Sequence, residues 1–133
     1  MIRKAAIISI SGISLTQQET NIFKKNKPWG VILFRRNILS VNQLKKLTTS
    51  IKVTMKDNKY PILIDEEGGR VTRLSNFIDN STFNQKFFGD IYKKDKKIGL
   101  TIYKNYIDSI SYHLQDLGIN IITSPVLDLY IKK

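Results

Sequence analysis

Apolar residues in this chain come in compact blocks separated by polar stretches with helical spacing. Residues 5–10, AAIISI, form a β-branched run bounded by Gly12, which reads as a buried strand. Thr16, with Glu19 three positions on, has the spacing of a capping box. A short helix should follow and end near the NKPWG breaker at 26–30. GVILF at 30–34 is a second run of the buried kind. Ser40 and Gln43 repeat the capping-box spacing, and Val41, Leu44, Leu47, Ile51 and Met55 then recur on one helical face as far as KDNKYP. PILID at 61–65 predicts a third strand, followed by a polar loop and a short segment around NQKFFG. Ile98, Ile102, Tyr106, Ile110, Leu114 and Leu117 mark one face of a long helix stopped by Gly118, and INIIT at 119–123 predicts a fourth strand.

The order is β-α-β-α-β-loop-α-β, with strands that are apolar throughout. Strands of that kind are covered on both faces, which points to a parallel α/β sheet. Two architectures satisfy it: an open doubly wound sheet, or part of a (β/α)8 barrel. Neither a GxGxxG nor a Walker A sequence follows the first strand, which weakens a nucleotide-binding reading. No internal repeat or low-complexity linker divides residues 1–133, so one domain is expected.

Composition alters this picture little. The chain has 133 residues and a formal net charge of +11, which by itself suggests nucleic acid or an anionic surface. Lys outnumbers Arg 17 to 5, and Ile and Asn are abundant too. All three have AT-rich codons, so genome bias accounts for the composition without a partner. The lysines are scattered apart from YKKDKK at 92–97, and a solvated basic surface is expected rather than a nucleic-acid site. Cysteine is absent, which excludes disulfides and thiolate metal sites and fits a reducing compartment. No apolar run approaches the roughly 18 residues of a membrane span. The apolar part of MIRKAAIISISG is short and β-branched with no small-residue cleavage site, so it reads as a strand rather than a signal peptide. A cytoplasmic protein without membrane contact, cofactor or bound metal is expected.

Chemistry in parallel α/β folds gathers at the C-terminal ends of the strands. After the second strand comes FRRN, with Arg35, Arg36 and Asn37; after the third, DEEGGRVTR; after the fourth, SPVLD, ending in Asp128. These polar groups suit a polyhydroxylated ligand. DEEGG also reads as a plain solvated turn, and Arg35 and Arg36 as ordinary surface charges. Two carboxyl groups are the usual equipment of glycoside hydrolysis, and Asp65, Glu66, Glu67 and Asp128 are candidates for such a pair. If the chain stays extended past the strand, Asp65 and Glu67 share a side and Glu66 does not. His113, the one histidine, falls along the long helix and reads as structural.

Four stretches taken in order, GVILFRRNI with QLKKL, PILIDEEGGRVTRL, FFG and LGINIITSPVLDL, resemble the N-terminal part of family 3 glycoside hydrolases. They resemble especially the bacterial β-N-acetylhexosaminidases of cell-wall recycling. The resemblance covers residues 7–129 and implies the N-terminal half of a TIM (β/α)8 barrel, with about four parallel strands. It implies a sugar-hydroxyl ligand role for Asp65 and substrate contact by Arg73. Glu67, Gly68, Gly69 and Arg70 then shape the loop, and Asp128 has a structural or supporting role. The family usually has Gln where this chain has Glu66, a departure expected to add charge near the site.

The family's mechanism is retaining, with an aspartate nucleophile and a histidine acid/base on a mobile loop, both beyond the PVLDL stretch. The chain departs from the pattern after Leu129 with YIKK, so both reacting groups are expected to be missing, and no residue among the 133 is assigned as catalytic. The implied substrate is a muropeptide or saccharide carrying N-acetylglucosamine. The alternative is a non-catalytic sugar-binding or interaction remnant that needs a second chain to complete the barrel.

Overall fold

The computed structural model describes residues 2–127. Its elements are β1 (Lys4–Ile8), α1 (Gln17–Asn26), β2 (Pro28–Leu33), a 3-10 turn (Arg35–Asn37), α2 (Val41–Met55), β3 (Ile62–Ile64), α3 (Gln85–Lys94), α4 (Lys96–Asp116) and β4 (Ile121–Ile122). The strands form one parallel sheet in the order β1-β2-β3-β4. That order decides between the two architectures, because a doubly wound sheet reverses direction at a switch point and a barrel does not.

Helix starts follow local chemistry. Thr16 accepts from the Glu19 N–H at 3.1 Å, while Glu19 accepts from the Thr16 N–H at 2.8 Å, so the capping box forms as expected. The same carboxylate accepts from the Ser11 N–H and hydroxyl, tying the loop after β1 to α1. Burial works against its charge, but the Thr16 and Ser11 hydrogen bonds outweigh this and hold the Glu19 carboxyl below its ordinary range. At α2 only half of the motif forms: Ser40 accepts from the Gln43 N–H, but Gln43 accepts from Leu39 N–H rather than from Ser40. Asp95, inside the lysine run, closes α3 and caps α4 through the Ile98 N–H at 3.0 Å. The short NQKFFG segment is therefore the start of a ten-residue helix.

Val31, Leu33, Ile62 and Ile64 pack against Phe23, Leu44, Leu47, Ile51, Ile110 and Leu114 to make the core between sheet and helices. Strand alternation puts Gly30, Ile32, Leu63 and Ile121 on the other face of the sheet. Space is tight at Gly30, where a Cβ would lie 3.1 Å from Leu63 Cδ1 and from Pro61 O.

The expectation of a buried first strand is corrected. β1 pairs with β2 alone, Lys4, Ala5, Ala6 and Ile7 are exposed, and burial resumes only at Ile10, beyond the strand. An edge strand can have a buried-looking sequence when nothing among the described residues covers it. β2 begins at Pro28, earlier than expected, because Lys27 ends α1 in the left-handed conformation (φ 47°) and Pro opens a strand without needing a donor. On α4 the apolar stripe is buried at Ile110 and Leu114 but exposed at Ile98 and Ile102.

Asn37 is fully buried. Its amide nitrogen donates to Ile10 O at 3.1 Å and Gly12 O at 2.8 Å, and its oxygen accepts from the Phe34 N–H at 2.9 Å. It thus joins the end of β2 to the chain leaving β1, instead of facing a ligand at the rim. Asn37→Ala leaves these groups unpaired in the interior and should cost about 3 kcal/mol in urea denaturation.

Candidate functional site

Asp65 is the first residue past β3, and Thr123 the first past β4. Since Ile64 pairs with Ile122, the parallel register sets these two side by side. The Thr123 hydroxyl donates to Asp65 Oδ1 at 2.6 Å, and the Thr123 N–H to Ile64 O at 3.0 Å. Asp65 Oδ2 accepts from Arg73 Nη2 at 3.2 Å, with each side chain of the pair about a quarter exposed. One donor per carboxylate oxygen fixes the Asp65 plane and leaves each oxygen further lone pairs for hydroxyl donors. The Arg73 guanidinium lies 5.9 Å from the centre of the Phe34 ring, and that of Arg36 lies 4.7 Å from it.

Residues 66–84 reach Arg73 by a compact excursion. Gly68 and Gly69 take φ of +76° and +63°, and Gly68 bridges to Val71 while the Glu67 N–H donates to Val71 O at 2.9 Å. The Gly69 N–H donates to Asn80 O at 3.1 Å. Glu66 is almost fully buried, accepting at Oε2 from the N–H groups of Arg73 (2.8 Å) and Leu74 (3.2 Å), and at Oε1 from Asn80 Nδ2 at 3.1 Å. Aromatic rings back the loop: Phe83, Phe88 and Tyr106 lie within 6.4 Å of one another, centre to centre. Burial first, and then the charge of Glu66, push the Tyr106 hydroxyl up to about 12.

Of the sequence candidates, the structure brings together Asp65 and Arg73. Glu67 and Arg70 line an open cleft between the glycine turn and the start of α3, shared with Asn84 and Gln85. Asp128 lies outside the described residues. Arg36 donates to Ile10 O and Ser9 Oγ and so braces β1, while Arg35 is exposed. His113 sits on the exposed side of α4 against the Tyr112 ring, 5.8 Å between centres. Glu66 stands next to Asp65 in the chain, but its carboxylate turns into the loop, where the Arg73 and Leu74 N–H groups and the Asn80 amide hold it. Sequence reasoning missed Thr123, Asn80 and Phe34. Parallel register was the usable signal for Thr123; Asn80 acts across 14 positions, beyond any local pattern.

The Glycosyl hydrolase family 3 N terminal domain matches residues 3–132. The chain belongs to glycosyl hydrolase family 3. It is 32% identical over 129 residues to a beta-hexosaminidase of Chromobacterium violaceum, covering 96% of this chain and 35% of that protein. It is 34% identical over 130 residues to one from Neisseria meningitidis, with the same coverage. Among solved structures, native NagZ from Neisseria gonorrhoeae superposes with a TM-score of 0.85 at 32% identity, over 96% of this chain and 37% of NagZ. NagZ in complex with N-trifluoroacetyl-D-glucosamine also gives 0.85, at 30% identity, over 96% and 38%. The chain thus spans about a third of the length of the curated relatives it matches, and its four strands correspond to part of the TIM-barrel fold of this glycoside hydrolase family.

Within the family 3 chain the glycine turn is the position least open to substitution. A Cβ on Gly68 would fall 2.1 Å from Phe83 O, on a backbone that L side chains rarely adopt. Gly68→Ala should destabilise by about 2 kcal/mol or more in denaturant titration. It should also change the amide spectrum of residues 66–84 far more than that of β2.

Proposed function

We propose that this chain carries the sugar-holding part of a β-N-acetylhexosaminidase site, with Asp65 and Arg73 as its substrate-binding residues. The observation that carries the reading is the Asp65 carboxylate, fixed by Thr123 and Arg73 at the C-terminal rim of a parallel sheet, with acceptor capacity left over for neighbouring sugar hydroxyls. It is supported by similarity to a NagZ structure in complex with N-trifluoroacetyl-D-glucosamine. The proposed ligand is the terminal N-acetylglucosamine of a saccharide or muropeptide from peptidoglycan. Glu67, Gly68, Gly69 and Arg70 shape the loop that carries Arg73, and Asp128 is a supporting residue.

We place the protein in the cytoplasm, a reading supported by the absence of cysteine. No helix of the described residues is long and apolar enough to cross a membrane.

Binding and turnover separate in this reading. Asp65 and Arg73 need only hydrogen-bond a sugar, whereas glycoside cleavage also needs an acid/base and a nucleophile. A second reading, a sugar-binding or interaction module completed by another chain, is favoured by the β1 edge that no strand among the described residues pairs.

Isothermal titration with N-acetylglucosamine should give heat with the wild-type chain and a loss of at least about tenfold in affinity with Asp65→Ala; equal heats from both would exclude a specific site here. Purified 133-residue chain should not turn over an aryl N-acetylglucosaminide, and reproducible turnover sensitive to Asp65→Ala would overturn that part of the proposal.

A further inference from the structure

The sugar-binding reading names Asp65 and Arg73, and their ion pair joins the tip of the Arg73 side chain to Asp65 without fixing the main chain that carries it. The Arg73 backbone belongs to an irregular loop, and its Nε is buried without a hydrogen-bond partner. The main-chain N–H groups of Arg73 and Leu74 find their acceptor in a side chain. Glu66 supplies it. Adjacent strand-end residues point to opposite sides, so the residue next to Asp65 is turned away from the rim and into the loop. There its Oε2 gathers the N–H groups of Arg73 and Leu74, and its Oε1 takes the Asn80 amide.

Asn80 completes the clamp from the far end of the loop. Its own carbonyl accepts from the Gly69 N–H at 3.1 Å and the Phe83 N–H at 3.1 Å. One buried side-chain pair thus gathers the glycine turn, the Arg73–Leu74 segment and the approach to α3. We propose that Glu66, paired with Asn80, is the positioning residue that holds Arg73 against Asp65, and that it acts on the sugar only through Arg73. This rests on the sugar-binding reading for its functional consequence, though the positioning itself does not.

The chemistry of the pair makes a specific demand. Glu66 accepts at both oxygens, so Asn80 must present its NH2 to it. A Gln at 66 keeps one acceptor for the Arg73 and Leu74 N–H groups but presents an amide NH2 to Asn80, which must then turn over to offer its oxygen. Glu66→Gln is therefore accommodated by a single amide flip. In the double variant Glu66→Gln with Asn80→Asp, donor and acceptor are exchanged and the hydrogen bond is kept without any flip. Glu66→Ala has no acceptor to offer.

Amide hydrogen exchange on the full 133-residue chain tests this without any sugar present. Exchange at Arg73 and Leu74 should speed by about tenfold to a hundredfold in Glu66→Ala, and stay near wild type in Glu66→Gln and in the double variant. Ile62–Ile64 amides serve as the internal standard for global destabilisation. If Glu66→Ala does not fold, Asn80→Ala provides the second variant and should release the same amides to a lesser degree. Unchanged Arg73 and Leu74 exchange in folded Glu66→Ala, or in Asn80→Ala where Glu66→Ala does not fold, or equal acceleration throughout β3, would overturn the positioning role. Titration with N-acetylglucosamine then separates the two proposals. Protection that follows Glu66 with no wild-type sugar binding leaves the positioning role standing and sinks the sugar reading. Wild-type binding that falls with Glu66→Ala and returns with Glu66→Gln supports both.

Discussion

A carboxylate taken out of water must be met by donors, and the loop that carries this site is arranged around that requirement. Glu66 is almost wholly buried, yet its partners are two backbone N–H groups and one amide from residues 7, 8 and 14 positions away. Each of those donors belongs to a stretch with no regular secondary structure of its own. Satisfying one side chain therefore orders a segment that neither helix nor strand hydrogen bonding would order. The glycine turn, Phe83 and Arg73 take their places as a consequence.

Parallel register supplies the second half of the site. Strands in register end side by side, so the first residues past β3 and β4 become neighbours although 58 positions separate them. Asp65 is then held between a rigid sheet, through Thr123, and a loop, through Arg73. The sheet side is the less adjustable of the two, since Thr123 is also bound through its N–H to Ile64 O.

Much of the fold was legible in the residues because its causes are local. Capping at Thr16, the helical stripe from Leu44 to Met55, and the β-branched runs at Val31 and Ile62 each act over a few positions. Legibility failed where partners are distant. AAIISI looks buried on composition, and only the sheet order reveals that β1 is an edge. Asn37 looks like a rim residue until Ile10 and Gly12 turn out to be its partners. Asp65 and Arg73 were identifiable through resemblance to a family, whereas the inward turn of Glu66 depends on Asn80, which no spacing rule connects to it.

The sharing of Asp95 between α3 and α4 has a mechanical consequence. With one residue serving as the end of one helix and the cap of the next, the two helices have no slack between them. Gly99 presses this junction closed, since a Cβ there would meet the Tyr92 backbone at 2.6 Å. At 3.6 residues per turn, one inserted residue would rotate α3 by roughly 100° about its axis relative to α4. Phe83 and Phe88 would then swing away from Tyr106, and with them the carbonyl seated over Gly68. The length of the chain at this hinge is thus a dimension of the 66–84 loop itself, set well along the sequence from Asp65 and Arg73.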